Sequence, residues 1–176
     1  GGGCPTSAAG QWEAGGVHPP SSSRSKKRKS AIRDSRVNST SLLSEAIAKM
    51  EKKPEVFIVA SAIGWYGDRG DEELTEDSAV GEGFLPEVCS DWEGASADLP
   101  DEVRHVYLRS GIVLSGTGGA LGKMLMPFKM GAGGPMGNGK QWMSWISLDD
   151  EIYAIHHLLM ETGSKGVYNL TAPNPV

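Results

Sequence analysis

Cysteine is scarce in this chain: Cys4 and Cys89 are the two among 176 residues, with neither a CxxC pair nor metal-ligand spacing around them. A disulfide framework and a cysteine-based zinc site are therefore not expected. No apolar run approaches the length of a membrane span, and no signal-type hydrophobic segment is present. Positive charge is not in excess either. The net charge of −5 gives no reason to expect nucleic acid or an anionic membrane as partner. The chain opens on Gly1 rather than a methionine, so a targeting segment upstream stays open, and the expected compartment is cytoplasmic or organellar.

What is present divides into a leader and a domain. Residues 1–25 are dominated by Gly, Ser and Pro and have almost nothing to bury, so they read as a disordered leader. The basic run Lys26-Lys27-Arg28-Lys29 reads as a solvated lead-in to a helix. That helix is expected from near Ser30 to about Lys52, with Leu43, Ala46, Ile47 and Met50 facing inward and Pro54 beyond its end. Val56-Phe57-Ile58-Val59 is apolar on both faces, the pattern of a central parallel strand. A helix from Phe84 to about Ala97 follows, with Leu85, Val88, Cys89 and Trp92 on one face. Val103–Leu108 is a second buried strand and Gly118–Met130 a further helix. Ser147 and Asp150 form a capping box for a helix ending before Gly163, its inward stripe being Ile152, Ile155 and Leu159. Val167–Leu170 is a last short strand.

Strands alternating with helices argue an α/β domain: a partial Rossmann-type (doubly wound) parallel sheet with flanking helices. Two or three strands leave sheet edges to be covered, so residues 26–176 read as the incomplete C-terminal portion of a larger domain.

In such folds ligands sit where buried strands open into polar loops. Ser61, just past the first strand, is placed to hydrogen-bond a substrate oxygen, or simply to make the turn with Gly64. Tyr66, close by, is a candidate proton donor, although buried tyrosines are more often packing residues. Arg109 and Gly111, at the end of the second strand, are candidate cofactor contacts along with Ser61. Met136, Asn138, Lys140, Gln141 and Trp142, in and after a glycine-rich segment, are candidate substrate contacts. Gly116 to Gly122 fits the spacing GxxGxxG. It lacks the acidic residue about twenty positions on that a dinucleotide fingerprint requires, so a tight strand-to-helix turn is the plainer reading. His156 and His157 are adjacent on a helix, point apart and cannot share a metal.

Four segments together, Ser35–Thr40, Ser61–Asp68, Leu108–Phe128 and Gly133–Asp150, resemble the NAD-dependent epimerase/dehydratase-like family of atypical short-chain dehydrogenase/reductases. The resemblance spans about Lys27 to Val176. It implies a Rossmann-type fold, with NADP or NAD held by N-terminal strands that this chain lacks, and a small-molecule substrate. The family pattern departs from that of ordinary short-chain dehydrogenases, which carry Tyr-x-x-x-Lys on a helix. The corresponding positions here are Leu85 and Cys89, neither suited to proton transfer. The expectation is a fragment, inactive as it stands. The alternative is a non-catalytic binding or regulatory module on the same sheet.

Overall fold

The computed structural model describes residues 26–134 and 139–176. The residues 1–25, expected to be a leader, and two of the expected substrate contacts, Met136 and Asn138, lie outside the described residues.

The first helix, α1 (Lys26–Ala48), starts earlier than expected because straight-chain Lys and Arg favour helix. Its buried positions are Thr40, Ser44 and Ile47, while Leu43 and Met50, expected inside, stay about half exposed. The reason lies in its partner, the helix α2 (Phe84–Gly94), whose facing surface is polar and aromatic rather than aliphatic. Trp92 Nε1 donates to Thr40 Oγ1 at 3.0 Å, Arg36 stacks over the Trp92 ring, and Arg33 pairs with Asp91.

Three strands, β1 (Val56–Ala62), β2 (Arg104–Ser110) and β5 (Gly166–Leu170), form one parallel sheet in the order β1-β2-β5. The two strands read as buried therefore lie side by side and point the same way. The central one is β2, however, and β1, expected to be central, has no strand on its outer edge among the described residues. A second parallel pair, β3 (Ile112–Ser115) and β4 (Trp145–Ser147), continues beyond Gly111. The helix α3 (Gly119–Lys129) follows β3 and buries no residue. Its entry is a tight turn bridged between Ser115 and Gly118, with no side-chain cap.

The last helix, α4 (Leu148–Met160), begins as expected. Ser147 Oγ accepts from the Asp150 amide at 3.0 Å, and three acids occupy the first turn, where the helix dipole favours them. Arg104 closes its other end by donating to the carbonyls of Leu158, Leu159 and Ser164. The buried positions of α4 are Glu151 and Leu158 rather than the expected Ile152, Ile155 and Leu159. The inward line is thus rotated by one residue.

Alternation along β2 sorts the interior into two layers. Val106 and Leu108 face α4 and pack with Ile146, Leu158 and Leu170. Tyr107 and Arg109 face α2, where they meet Ser96 and Glu93. On that second face Ile47, Leu99 and Val103 gather around Phe57. The connections step the same way across the sheet, yet α2 and α4 cover opposite faces. Their crossovers therefore have opposite hands, and one is the rare left-handed kind. Among the described residues, no helix is long and apolar enough to cross a membrane.

Candidate functional site

The carboxyl ends of β1 and β2 carry a closed polar network on the α2 face. Register sets Ser61 opposite Arg109, and Arg109 opposite Asn169 of β5. Ser61 Oγ donates to Glu93 Oε1 at 2.7 Å. Arg109 grips the same carboxylate in a two-pronged pair, Nε to Oε1 and Nη2 to Oε2, both at 2.9 Å. Its remaining Nη1 donates to Tyr66 Oη at 3.1 Å and to the Glu76 carbonyl at 3.2 Å, and the Arg109 Cζ lies 3.8 Å from the Trp65 ring centre. Tyr66 Oη donates onward to Asn169 Oδ1 at 2.6 Å. Ser61, Tyr66, Glu93 and Arg109 are all buried. Burial opposes the Arg109 charge, but hydrogen bonds and charge from Glu93 and Tyr66 outweigh it and hold the guanidinium pKa above its ordinary value.

Local sequence explains how these groups meet. After β1 the chain makes one 3-10 turn, Ile63–Tyr66, and leaves it through Gly67 at φ 69, a conformation that suits glycine. The loop 68–82 then folds back over the strand ends. Gly81 lies so close to the Tyr66 carbonyl that a Cβ there would overlap it, and its amide donates to Trp65 O at 2.9 Å. Glu76 in this loop accepts from the Asn169 amide at 2.8 Å, which fixes the loop on β5 as well.

Leu85 and Cys89, the two positions compared above with the Tyr-x-x-x-Lys dyad, face the same turn: a Cβ on Gly64 would lie 3.5 Å from both Leu85 Cβ and Cys89 Sγ. Burial, with the neighbouring Glu93 charge second, pushes the Cys89 thiol up to about 11, so it is a neutral packing group near neutral pH.

The other expected contacts are placed as follows. Gly111 is the link between the two sheets; its amide donates to Leu170 O at 2.9 Å, and a Cβ would come 2.8 Å from Ser144 O, so glycine is demanded by backbone approach. Trp142 is exposed, and its Nε1 donates to Asp71 Oδ1 at 2.6 Å, tying the segment after the glycine-rich stretch to the loop 68–82. Lys140 is exposed and Gln141 half-buried. On the opposite face, Ser110 Oγ donates to Glu151 Oε1 at 2.6 Å, while Glu151 Oε2 is buried without a hydrogen-bond partner.

The network unites Ser61, Tyr66 and Arg109, three of the residues singled out in the sequence. It adds Glu93, Trp65, Glu76 and Asn169, which sequence reasoning missed. For Glu93 a signal existed: a carboxylate four residues beyond Cys89 on an otherwise apolar helix line. Chemically, Ser61 commits its proton to Glu93 and has only lone pairs left to present, while Arg109 balances the carboxylate rather than reaching outward.

No protein-family model matches the chain. Among curated proteins, the chloroplastic epimerase family protein SDR39U1 homolog of Arabidopsis thaliana is 42% identical over 150 residues, 84% of this chain and 43% of that protein. Epimerase family protein YfhF of Bacillus subtilis is 41% identical over 152 residues, 85% of this chain and 50% of that protein. The chain thus spans about half the length of the curated relatives it matches. The solved structure of human SDR39U1 (isoform 2) with NADPH superposes with a TM-score of 0.81 at 36% identity, over 85% of this chain and 51% of that one. A nucleoside-diphosphate sugar epimerase from Corynebacterium glutamicum gives 0.79 at 43% identity, over 86% of this chain and 33% of that one. Over the residues it shares with them, with the same Rossmann-like parallel sheet, this chain belongs to the epimerase family of short-chain dehydrogenase/reductase-like proteins.

Proposed function

We propose that residues 26–176 form the C-terminal portion of an NAD(P)-dependent epimerase/dehydratase-like oxidoreductase domain that acts on a small molecule, with residues 1–25 an unrelated leader. The observation that carries this reading is the buried Ser61–Glu93–Arg109 cluster at the carboxyl edge of a parallel sheet, where doubly wound folds take their ligands. Ser61 and Gly111 stand at the two strand ends facing that edge and would lie nearest the reacting end of a dinucleotide. Trp142, held to Asp71, would border the substrate together with Lys140 and Gln141.

The fit to a whole dinucleotide is incomplete. Among the described residues the one glycine-rich strand-to-helix turn, at Gly116–Gly119, serves the small sheet, and the Arg109 guanidinium is spent on Glu93 and Tyr66. A phosphate cradle on the main sheet has to come from elsewhere. No chemical step is therefore assigned to this chain alone, and it is expected to hold the cofactor weakly and to turn over no substrate. Calorimetric titration of the 176-residue protein with NADP and NAD tests this; micromolar affinity for either overturns it.

The second reading, a non-catalytic binding module, is favoured by one observation: Leu85 and Cys89 face the turn after Ser61 where a proton-transfer pair would stand. An isolated chain that binds small ligands at this edge with micromolar affinity, yet gains no turnover in a longer polypeptide with the cofactor half restored, would select it.

A further inference from the structure

We propose that Ser30 is a phosphorylation site for a protein kinase that selects basic residues ahead of its target, and that the phosphate draws Arg33 away from Asp91 and so loosens α1 from α2. This stands apart from the function inferred above and gives a role to a run of charge that the function leaves unused.

Lys26, Lys27, Arg28 and Lys29 directly precede Ser30, and all but Lys29 are exposed, as is Ser30 itself. In a chain of net charge −5 this is a local reversal of sign, and an upstream basic run is the charge pattern by which one class of kinase picks its substrates. Helical spacing puts Lys26, Lys29, Arg33 and Arg36 on one line of α1, the line that meets α2. Lys29 Nζ lies 5.0 Å from the Phe84 ring centre, Arg33 Nε donates to Asp91 Oδ2 at 2.6 Å, and Arg36 Cζ lies 5.2 Å from the Trp92 ring centre. Ser30 flanks that line. Its Oγ donates to Asp34 Oδ2 at 2.7 Å, whereas Ser35 and Ser39 donate to backbone carbonyls of their own helix. Ser30 is therefore the one of the three whose hydroxyl already points among charged side chains.

A kinase cleft takes its substrate extended, so the start of α1 has to unwind. The fold makes this the weak end of the helix. Four cations crowd the positive pole of the helix dipole, with no acid in the first turn. Burial in α1 begins only at Thr40, so opening the turns around Ser30 uncovers little.

In the transfer, Ser30 Oγ attacks the terminal phosphorus of a nucleoside triphosphate. The new O–P bond forms as the bond to the bridging oxygen breaks, the nucleoside diphosphate leaves with that electron pair, and the hydroxyl proton passes to the kinase. The product carries about two negative charges. Lys26, Lys27, Arg33 and Asp34 stand one turn away along the helix. The dianion repels the Asp34 carboxylate and attracts the three cations. Arg33 and Asp91 are 51% and 38% exposed, a setting in which an ion pair is weak, so a doubly charged group on Arg33's own helix displaces Asp91. Asp91 and Glu93 share α2, so the change reaches the helix that holds Ser61 and Arg109.

The test is to incubate the 176-residue chain with the catalytic subunit of cyclic-AMP-dependent protein kinase and magnesium ATP. One phosphate is expected on Ser30, located by tandem mass spectrometry. Ser30→Ala should abolish it, and the double variant Lys27→Glu/Arg28→Glu should slow it at least tenfold. No incorporation, incorporation at another serine, or a rate indifferent to the charge reversal overturns the site. The switch has its own readout. Asp91→Asn should lower the thermal midpoint of the unmodified chain by about 2 °C, the size expected for one exposed pair, and leave that of the phosphorylated chain unmoved. Equal shifts in the two forms would mean that Arg33 still holds Asp91, and overturn the switch.

Discussion

Ser61 Oγ donates to Glu93 Oε1 at 2.7 Å, and the same oxygen also accepts Arg109 Nε at 2.9 Å. One carboxylate therefore orients the hydroxyl at the end of β1 and balances the cation at the end of β2. A buried pair of this kind contributes little net stability, because desolvation offsets attraction, but losing one member strands the other. Arg109→Met should therefore cost about 3–5 kcal/mol. Pairing it with Glu93→Leu should recover more than half of that loss, since no lone charge remains. Urea unfolding of the wild type, both singles and the double variant measures the coupling; additive costs would show that Arg109 and Glu93 do not act as a unit.

Cys89 gives a pH dependence whose sign is fixed by burial. The folded thiol titrates at about 11 against an ordinary value of 9.0. The stability it contributes is thus fully present below pH 9.0 and lost as the pH climbs through about 11. Between those limits the wild type should lose on the order of 2 kcal/mol more than Cys89→Ala. Denaturant midpoints at matched pH values check this, and parallel curves would show that the thiol titrates normally.

How much of this was legible in the sequence depends on whether a residue's environment is set locally. The capping box at Ser147 and Asp150 was readable because a cap is made by its own turn, and parallel strands at Val56 and Arg104 were readable from apolar runs between helices. The inward face of α4 was not, because helical spacing alone does not say which of two neighbouring lines faces the sheet: Ile152 and Leu159 obey that spacing yet stay about half exposed, while Glu151 and Leu158 are buried. In α1 the error had the opposite cause, as Thr40 and Ser44 are buried through Trp92 and its neighbours across 52 residues, a contact no local pattern encodes. Ser61 and Arg109 were found because strand ends are privileged places. Their mutual partner Glu93 was passed over because a lone acid on a helix is usually solvated.

Glu151 should behave in the opposite sense to a stabilising acid. Burial raises its pKa above the ordinary 4.5, and the Ser110 hydrogen bond only partly counters this. A raised carboxyl pKa stabilises the fold below 4.5 and withdraws that contribution as pH rises, so at neutral pH the ionised group is a liability with one oxygen unpaired. Glu151→Gln keeps an acceptor for Ser110 and removes the charge. It should raise stability near pH 7 by roughly 1 kcal/mol and lose that advantage in acid. Thermal melts at neutral and acidic pH decide it, and a variant less stable at neutral pH would show that the carboxylate has a partner of its own.

Tyr66 separates packing from chemistry. Its hydroxyl accepts from Arg109 Nη1 and donates to Asn169 Oδ1, which accounts for its proton within the network and ties the 3-10 turn to both β2 and β5. Tyr66→Phe deletes both bonds and leaves a buried guanidinium donor and an amide oxygen unmet. About 2 kcal/mol should be lost, roughly 4–8 °C in midpoint for a domain of this size. If the hydroxyl serves only to hold strands together, a longer, cofactor-binding polypeptide carrying Tyr66→Phe should keep its turnover number at temperatures where it remains folded. A turnover loss of a hundredfold or more with little change in midpoint would instead make Tyr66 the proton donor, and would require the Asn169 bond to open before the proton could move.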